Sequence, residues 1–145
     1  VPLGILLLSA CSSVTYTPLT VDEIISKTTR KTNVRAETEF KIQGTGEGKL
    51  SEKGYWYLNS EKDYRSSKSL NLLLSEKVVK KLKQKHDLEN AEQLLGKTVK
   101  VKGLAKPTAY CVVVGCPTSL SNGNKPKLYL QTQLLVTDIN DININ

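Results

Sequence analysis

Few side chains in this chain of 145 residues have the type and spacing that catalysis needs. The single histidine, His86, cannot form a His-His metal pair, and neither a G-x-S-x-G motif nor a P-loop is present. Carboxylates occur in pairs, Glu37 with Glu39 and Asp138 with Asp141, but such acids are typical of solvated surface unless a partner activates them. We therefore expect no catalytic residue, no metal site, no cofactor and no enzymatic activity.

Cys11 ends a short apolar run, within the tetrapeptide Leu8-Ser9-Ala10-Cys11. The run is far shorter than the roughly 20 apolar residues that a membrane-spanning helix needs, and it is typical of an export signal. The tetrapeptide resembles the lipobox of bacterial lipoproteins. That resemblance implies removal of a signal peptide at residues 1–10, acylation of Cys11, palmitate included, and a lipid-anchored tether over residues 11–20. Because Ser12 rather than Asp follows the cysteine, it also implies the outer membrane, facing the periplasm.

The signal departs from the usual pattern at its start. The sequence begins without Met and has no Lys or Arg before Cys11, so we expect either a truncated N-terminus or a start at a non-Met codon. The alternative interpretation of the run is a buried apolar segment that happens to precede a cysteine.

Cys111 and Cys116 remain as a pair. Because an even number of cysteines remains in a chain that is expected to be exported, we predict a disulfide between these two residues. It would tie the end of a hairpin near residues 112–114. The alternative is a metal or redox pair. However, zinc needs four ligands, and the C-x4-C spacing lacks the C-x-x-C pattern of redox proteins.

Apolar periodicity predicts the elements that must position these residues. A capping box at Thr20 and Glu23 starts a short N-terminal helix that ends near Thr29. Ser75 caps a lysine-rich helix that lies between the third and fourth strands. Residues 140–145 are predicted to be a disordered tail. Strands are predicted at residues 34–48, 55–58, 69–74, 97–104 and 127–136, the last with Leu128, Leu130, Leu134 and Val136 on one face.

Glycines recur at alternate positions, at Gly44, Gly46 and Gly48. They favour a strongly bent strand over a phosphate-binding loop, because no Lys-Ser/Thr and no helix follow them. Three strands with a bent first member, then a helix, then two strands, resemble the OB-fold of small exported lipoproteins. The resemblance implies a mainly β fold, with one five-stranded OB-fold-like barrel over residues 21–139. It implies a binding module more often than an enzyme.

Positive charge is concentrated in residues 76–106, which hold nine lysines and four acidic residues, so this segment carries most of the net charge of +7. If the helix packs beside the fourth strand, lysines of both elements form one basic patch that suits polyanions. The alternative is a solvated helix surface. The candidate ligand-binding lysines are Lys77, Lys80, Lys81, Lys100 and Lys102.

Three tyrosines are candidate ligand-binding residues. In the second predicted strand Trp56 and Leu58 alternate with Tyr55 and Tyr57, and if the more apolar pair is buried, both tyrosines face outward with Tyr129. Exposed rings in a basic groove stack on the bases of single-stranded nucleic acid. The alternative is that these tyrosines only cover neighbouring strands.

Three functional hypotheses follow. The first is a membrane-anchored, non-catalytic binding or scaffolding module of the cell envelope, which docks an envelope protein, a glycan, a lipid head group or another polyanion. The second is a single-stranded nucleic-acid-binding protein at the cell surface. The third is a small inhibitor or immunity-type lipoprotein.

Overall fold

The computed structural model describes residues 14–29, 32–48, 54–111 and 128–145. The predicted signal peptide, the acylated Cys11, the bridge to Cys116 and the hairpin at residues 112–114 lie outside these ranges. The helices are α1 (Val21–Thr28) and α2 (Glu76–His86), with short 3-10 helices at Ala91–Leu94 and Ile139–Asp141. The strands are β1 (Thr17–Pro18), β2 (Val34–Lys41), β3 (Gly44–Gly48), β4 (Tyr55–Asn59), β5 (Leu70–Leu74), β6 (Thr98–Cys111), β7 (Leu128–Val136) and β8 (Ile142–Ile144).

Both α-helices begin where their capping residues predict. The Thr20 hydroxyl accepts a hydrogen bond from the Glu23 amide at 3.2 Å, and the Ser75 hydroxyl accepts one from the Val78 amide at 3.4 Å. The helix α2 buries Val78, Val79 and Leu82, and it packs on β4 and on the 3-10 helix at Ile139–Asp141. None of the described helices is long and apolar enough to cross a membrane.

The described strands form one mixed sheet in the order β1-β2-β6-β7-β5-β4-β3, with β8 paired to β6. The mainly β prediction is confirmed. This path of seven strands has two ends, β1 and β3, so the sheet is open and is not the closed barrel of five strands that the sequence predicted. The predicted first strand is divided into β2 and β3, because the chain leaves β6 at Lys41 and pairs with β4 from Gly44 onward.

One cluster of buried apolar side chains packs on one face of this sheet. Strand alternation places Trp56 and Leu58 inside, as predicted, together with Val99 and Val101. The lysine Nζ of Lys83 in α2 lies 5.5 Å from the centroid of the Trp56 ring, which adds a cation–π contact to the packing of α2 on β4. The other fully buried large side chains include Ile24, Ile42, Leu70, Leu72, Leu74, Leu82, Leu94 and Leu134.

The prediction of a disordered tail at residues 140–145 was wrong. The tail forms β8, which pairs with β6 through Val99 to Ile144 and Val101 to Ile142. Because isoleucine and asparagine alternate there, a strand buries both isoleucines and leaves the asparagines in solvent. The tether predicted over residues 11–20 is also shorter than expected, because Thr17–Pro18 already pairs with β2.

Leu130 also departs from its predicted position. It was expected to face inward with Leu134 and Val136, but 55% of its surface is exposed. The reason is the length of β7: its pairing with β5 begins only at Thr132, so Leu130 extends beyond the core.

The close approach of the chain at Gly44 leads to a test of the fold. A Cβ added at Gly44 would lie 2.9 Å from the Glu61 carbonyl oxygen and 3.2 Å from that of Lys62. We expect Gly44→Ala to lower the free energy of unfolding by about 1–3 kcal/mol, because backbone atoms must move. Urea unfolding followed by Trp56 fluorescence measures this.

Gly46→Ala in the same strand is the matched control, since its added Cβ would make ordinary contacts of 3.7 Å with Tyr57. Its free energy of unfolding should stay within about 0.5 kcal/mol of the wild-type value. Equal stability of the two variants would contradict the close packing at Gly44.

Candidate functional site

A groove of about 310 Å3 lies on the face of the sheet opposite the buried apolar side chains. We call it the amide groove, because asparagine and glutamine side chains form most of its floor. Its lining residues are Thr45, Gly46, Glu47, Tyr57, Asn59, Tyr64, Asn71, Tyr129, Gln131 and Gln133. They come from β3, β4, β5, β7 and the loop between β4 and β5.

Strand register aligns the amides of the floor in one row. Asn59 of β4 pairs with Asn71 of β5, which pairs in turn with Gln133 of β7. All three lie at outward positions of strands whose inward positions are apolar, yet Asn59 is only 4% exposed and Asn71 only 2%. Asn59 and Asn71 are therefore buried beneath the groove, and Gln133 beside them is half-buried.

Hydrogen bonds hold most of these amides in place. The Asn71 amide donates to the Tyr64 carbonyl oxygen at 3.0 Å, while its own oxygen accepts from the Ser69 hydroxyl at 2.7 Å. The Gln131 amide donates to the same Tyr64 oxygen at 3.3 Å and to the Tyr129 hydroxyl at 3.4 Å. Two strands thus fix the loop that carries Tyr64 at the rim of the groove.

Asn59 differs from its neighbours. Its side-chain oxygen Oδ1 is buried and has no hydrogen-bond partner among the described residues. Leaving a buried acceptor unpaired costs roughly 1–3 kcal/mol. An atom of this kind in the floor of a groove is suited to accept a hydrogen bond from a ligand.

The rim of the groove carries a positive charge. Arg65 donates from Nε to the Tyr64 hydroxyl at 3.1 Å, and its guanidinium carbon lies 5.4 Å from the Tyr64 ring centroid. This hydrogen bond, aided by the nearby Tyr129 and Asp63, raises the pKa of Arg65 above its ordinary value. Arg65 is therefore positively charged at the mouth of the groove. The Tyr64 side chain beside it is 45% exposed.

The structure brings together two of the three predicted tyrosines. Tyr57 and Tyr129 both line the amide groove and are half-buried. Tyr55 lies on the same face of β4, opposite Gly48, but outside the lining residues. Sequence reasoning missed Tyr64, Arg65 and the amides. The polar residues at outward strand positions, such as Gln131 and Gln133, were the signal that would have indicated them.

The predicted basic patch is not assembled at the groove. Lys77, Lys80 and Lys81 are exposed on α2, which packs on β4 and not along β6. The Nζ of Lys80 lies 3.4 Å from a Glu76 carboxylate oxygen.

The strand lysines also have acidic neighbours. Lys100 lies 3.4 Å from Glu37, and Lys102 lies 3.9 Å from Asp141. A wider cleft of about 880 Å3 beside β2 includes Lys100 and Glu37, so opposite charges there already face each other. Among the described residues, no three His, Cys, Asp or Glu side chains cluster closely enough to hold a metal ion.

No family model and no curated protein matches this chain. Among solved structures it is similar to a protein from Leishmania major Friedlin assigned as an aspartyl-tRNA synthetase, with 15% sequence identity and a TM-score of 0.40. The match covers 94% of this chain and 22% of the other, so the chain spans about a fifth of that protein's length. Similarity at this level does not assign an activity to this chain.

Proposed function

We propose that this protein is a lipid-anchored, non-catalytic binding module of the bacterial cell envelope, and that it binds its ligand in the amide groove. Cys11 carries the anchor, and the outer membrane facing the periplasm is the location that the lipobox resemblance favours. The domain that follows has an OB-like architecture.

The strand path supports the OB-like part of the proposal. The path ends in β3 on one side and in β2, with the two-residue β1 at its edge, on the other, and β2 and β3 are consecutive parts of one chain segment. Between them, the Ile42 amide donates to the Lys97 carbonyl at 2.8 Å, and the Gln43 amide donates to the Asn59 carbonyl at 3.0 Å. The segment therefore bonds to both sides of the sheet as the bent first strand of an OB-fold does.

The observation that carries the binding proposal is the unpaired Oδ1 of Asn59. Buried polar atoms are nearly always hydrogen-bonded, and an exception needs an explanation. Thr38 Oγ1, beside the wider cleft, and His86 Nε2 are also buried and unpaired among the described residues. Of the three residues, only Asn59 lies in a groove that combines tyrosine rings with a few convergent polar groups, as ligand sites do. A ligand that donates a hydrogen bond to Asn59 satisfies this acceptor.

Photo-cross-linking in intact cells tests this function. p-Benzoylphenylalanine replaces Tyr64 at the rim of the groove or, as the matched control, the exposed Lys81 on α2. We expect an adduct from position 64 that disappears in an Asn59→Leu background, and no adduct from position 81. Adducts from position 81 alone, or from neither position, would contradict binding at the groove.

A second candidate is single-stranded nucleic-acid binding. The presence of Tyr57, Tyr64 and Tyr129 at one groove, with Arg65 at its mouth, favours it, because aromatic rings beside a cation stack on bases. This function predicts oligonucleotide affinity that falls steeply as salt rises, with quenching of tyrosine fluorescence. Absence of binding at low salt would exclude it.

A further inference from the structure

We propose that the amide groove binds a neutral carbohydrate, a segment of one or two sugar rings of an envelope glycan. This inference rests on the proposed function and specifies its ligand class. It follows from the charge, the hydrogen-bonding capacity and the size of the groove.

The charge of the groove selects against an anionic ligand. Its lining residues include no lysine or arginine, and its one carboxylate, Glu47, already accepts a hydrogen bond from the Ala91 amide at 3.0 Å. Arg65 stands at the mouth, where its Nε donates to the Tyr64 hydroxyl, and it is not among the lining residues. An anion inside the groove would lose hydration and meet Glu47 without a lining cation, which is costly.

The same observation separates a glycan from a nucleic-acid strand. Each nucleotide in a strand brings a phosphate, and strand-binding grooves track those phosphates with lysine and arginine. No lysine is among the lining residues of this groove, although Lys106 of β6 pairs with Gln133 and is exposed beside it. A neutral glycan needs no such counter-charge.

Hydrogen-bonding capacity favours hydroxyl-rich ligands. Asn59 Oδ1 accepts and therefore needs an O–H or N–H donor from the ligand. A sugar ring carries several hydroxyl groups that both donate and accept, so it can satisfy Asn59 and also reach the neighbouring amides. The half-buried rings of Tyr57 and Tyr129 offer flat apolar surface to the C–H face of the ring.

Size and construction agree with this class of ligand. A volume of about 310 Å3 lies at the low end of ligand pockets, which span roughly 300–1,000 Å3, and it suits one or two sugar rings. The row Asn59, Asn71 and Gln133 is set by strand pairing, so the acceptor is held in position before the ligand arrives.

Isothermal titration calorimetry tests the inference. The protein used is the soluble domain, which begins at Ser12 and includes the whole remainder of the chain. The probes are the tetramer of N-acetylglucosamine, maltotetraose and a thymidine oligonucleotide. We expect at least one neutral oligosaccharide to bind with an affinity that does not depend on salt. Asn59→Leu, which keeps the size and removes the acceptor, should weaken it about tenfold.

Tyr64→Ala at the exposed rim provides a second variant that does not disturb the core, and it should also weaken binding, whereas Lys81→Ala should not. Binding of the oligonucleotide alone, lost in Asn59→Leu, would overturn the carbohydrate inference and leave the groove function standing. If no probe binds while cells still give the adduct from position 64, the carbohydrate inference is also overturned and the groove function also stands. Oligosaccharide binding that is equal in wild type, Asn59→Leu and Tyr64→Ala would overturn both proposals.

Discussion

Replacing both buried isoleucines of the last strand, with Ile142→Asn and Ile144→Asn, is expected to leave the protein largely unfolded at 25 °C. Each isoleucine is only 5% exposed. Truncating a buried isoleucine costs roughly 2–5 kcal/mol, and domains of this kind are stable by only about 5–15 kcal/mol in total. The loss for the pair is therefore comparable with the whole stability of the domain.

The strand β8 has a second role, which increases the damage expected from the double substitution. The Thr98 and Asn145 backbones exchange two hydrogen bonds, of 3.0 and 2.9 Å, so β8 covers an edge of β6. Without β8, that edge is open to pairing with another chain. We therefore expect the double variant to aggregate on concentration.

Circular dichroism and urea titration measure the loss of stability, and light scattering measures aggregation. The matched control is Asn143→Ser, at the exposed position between the two isoleucines, whose free energy of unfolding should change by less than about 0.5 kcal/mol. A double variant as stable as the control would mean that the tail contributes nothing to the fold.

If Cys11 is the proposed lipid anchor, Cys11→Ser is expected to move the protein completely from the membrane fraction to the soluble fraction, because the substitution removes the thiol that the proposed acylation requires. The free energy of unfolding of the domain should not change, since residue 11 precedes the first described strand pairing at Thr17.

Fractionation of cells and immunoblotting give the distribution, and a stability measurement on the released protein gives the second result. Cys116→Ser is the control, because it removes a thiol elsewhere and should leave the protein in the membrane fraction. A Cys11→Ser variant that still sediments with membranes would show that attachment does not depend on this cysteine.

Local patterns predicted the elements well because the forces that form them act over a few residues. The Thr20 and Ser75 caps mark the helix starts, since each hydroxyl satisfies an amide three residues away. Alternation in β4 predicted that Trp56 and Leu58 are buried and that Tyr57 faces the other way. The same rule applied to the tail would have predicted β8, but compositional bias toward asparagine indicated disorder instead.

Local sequence patterns could not predict which lysines lie on the same surface. Whether Lys77 and Lys100 share a surface depends on which strand α2 covers, and α2 packs on β4. Its apolar stripe of Val78, Val79 and Leu82 is compatible with any apolar strand. Only the completed sheet determines which strand that is.

The sequence by itself determined both α-helices, the inward positions of strands such as β4 and β6, the absence of the common catalytic motifs and the lipobox resemblance at Cys11, but not β1, β8 or the exposure of Leu130. The tertiary structure alone decided that Asn59, Asn71 and Gln133 form one row beneath two tyrosines. The physical reason is register: β5 and β7 pair in parallel although more than fifty residues of chain separate them. A shift of one residue would turn the amides to the other face of the sheet.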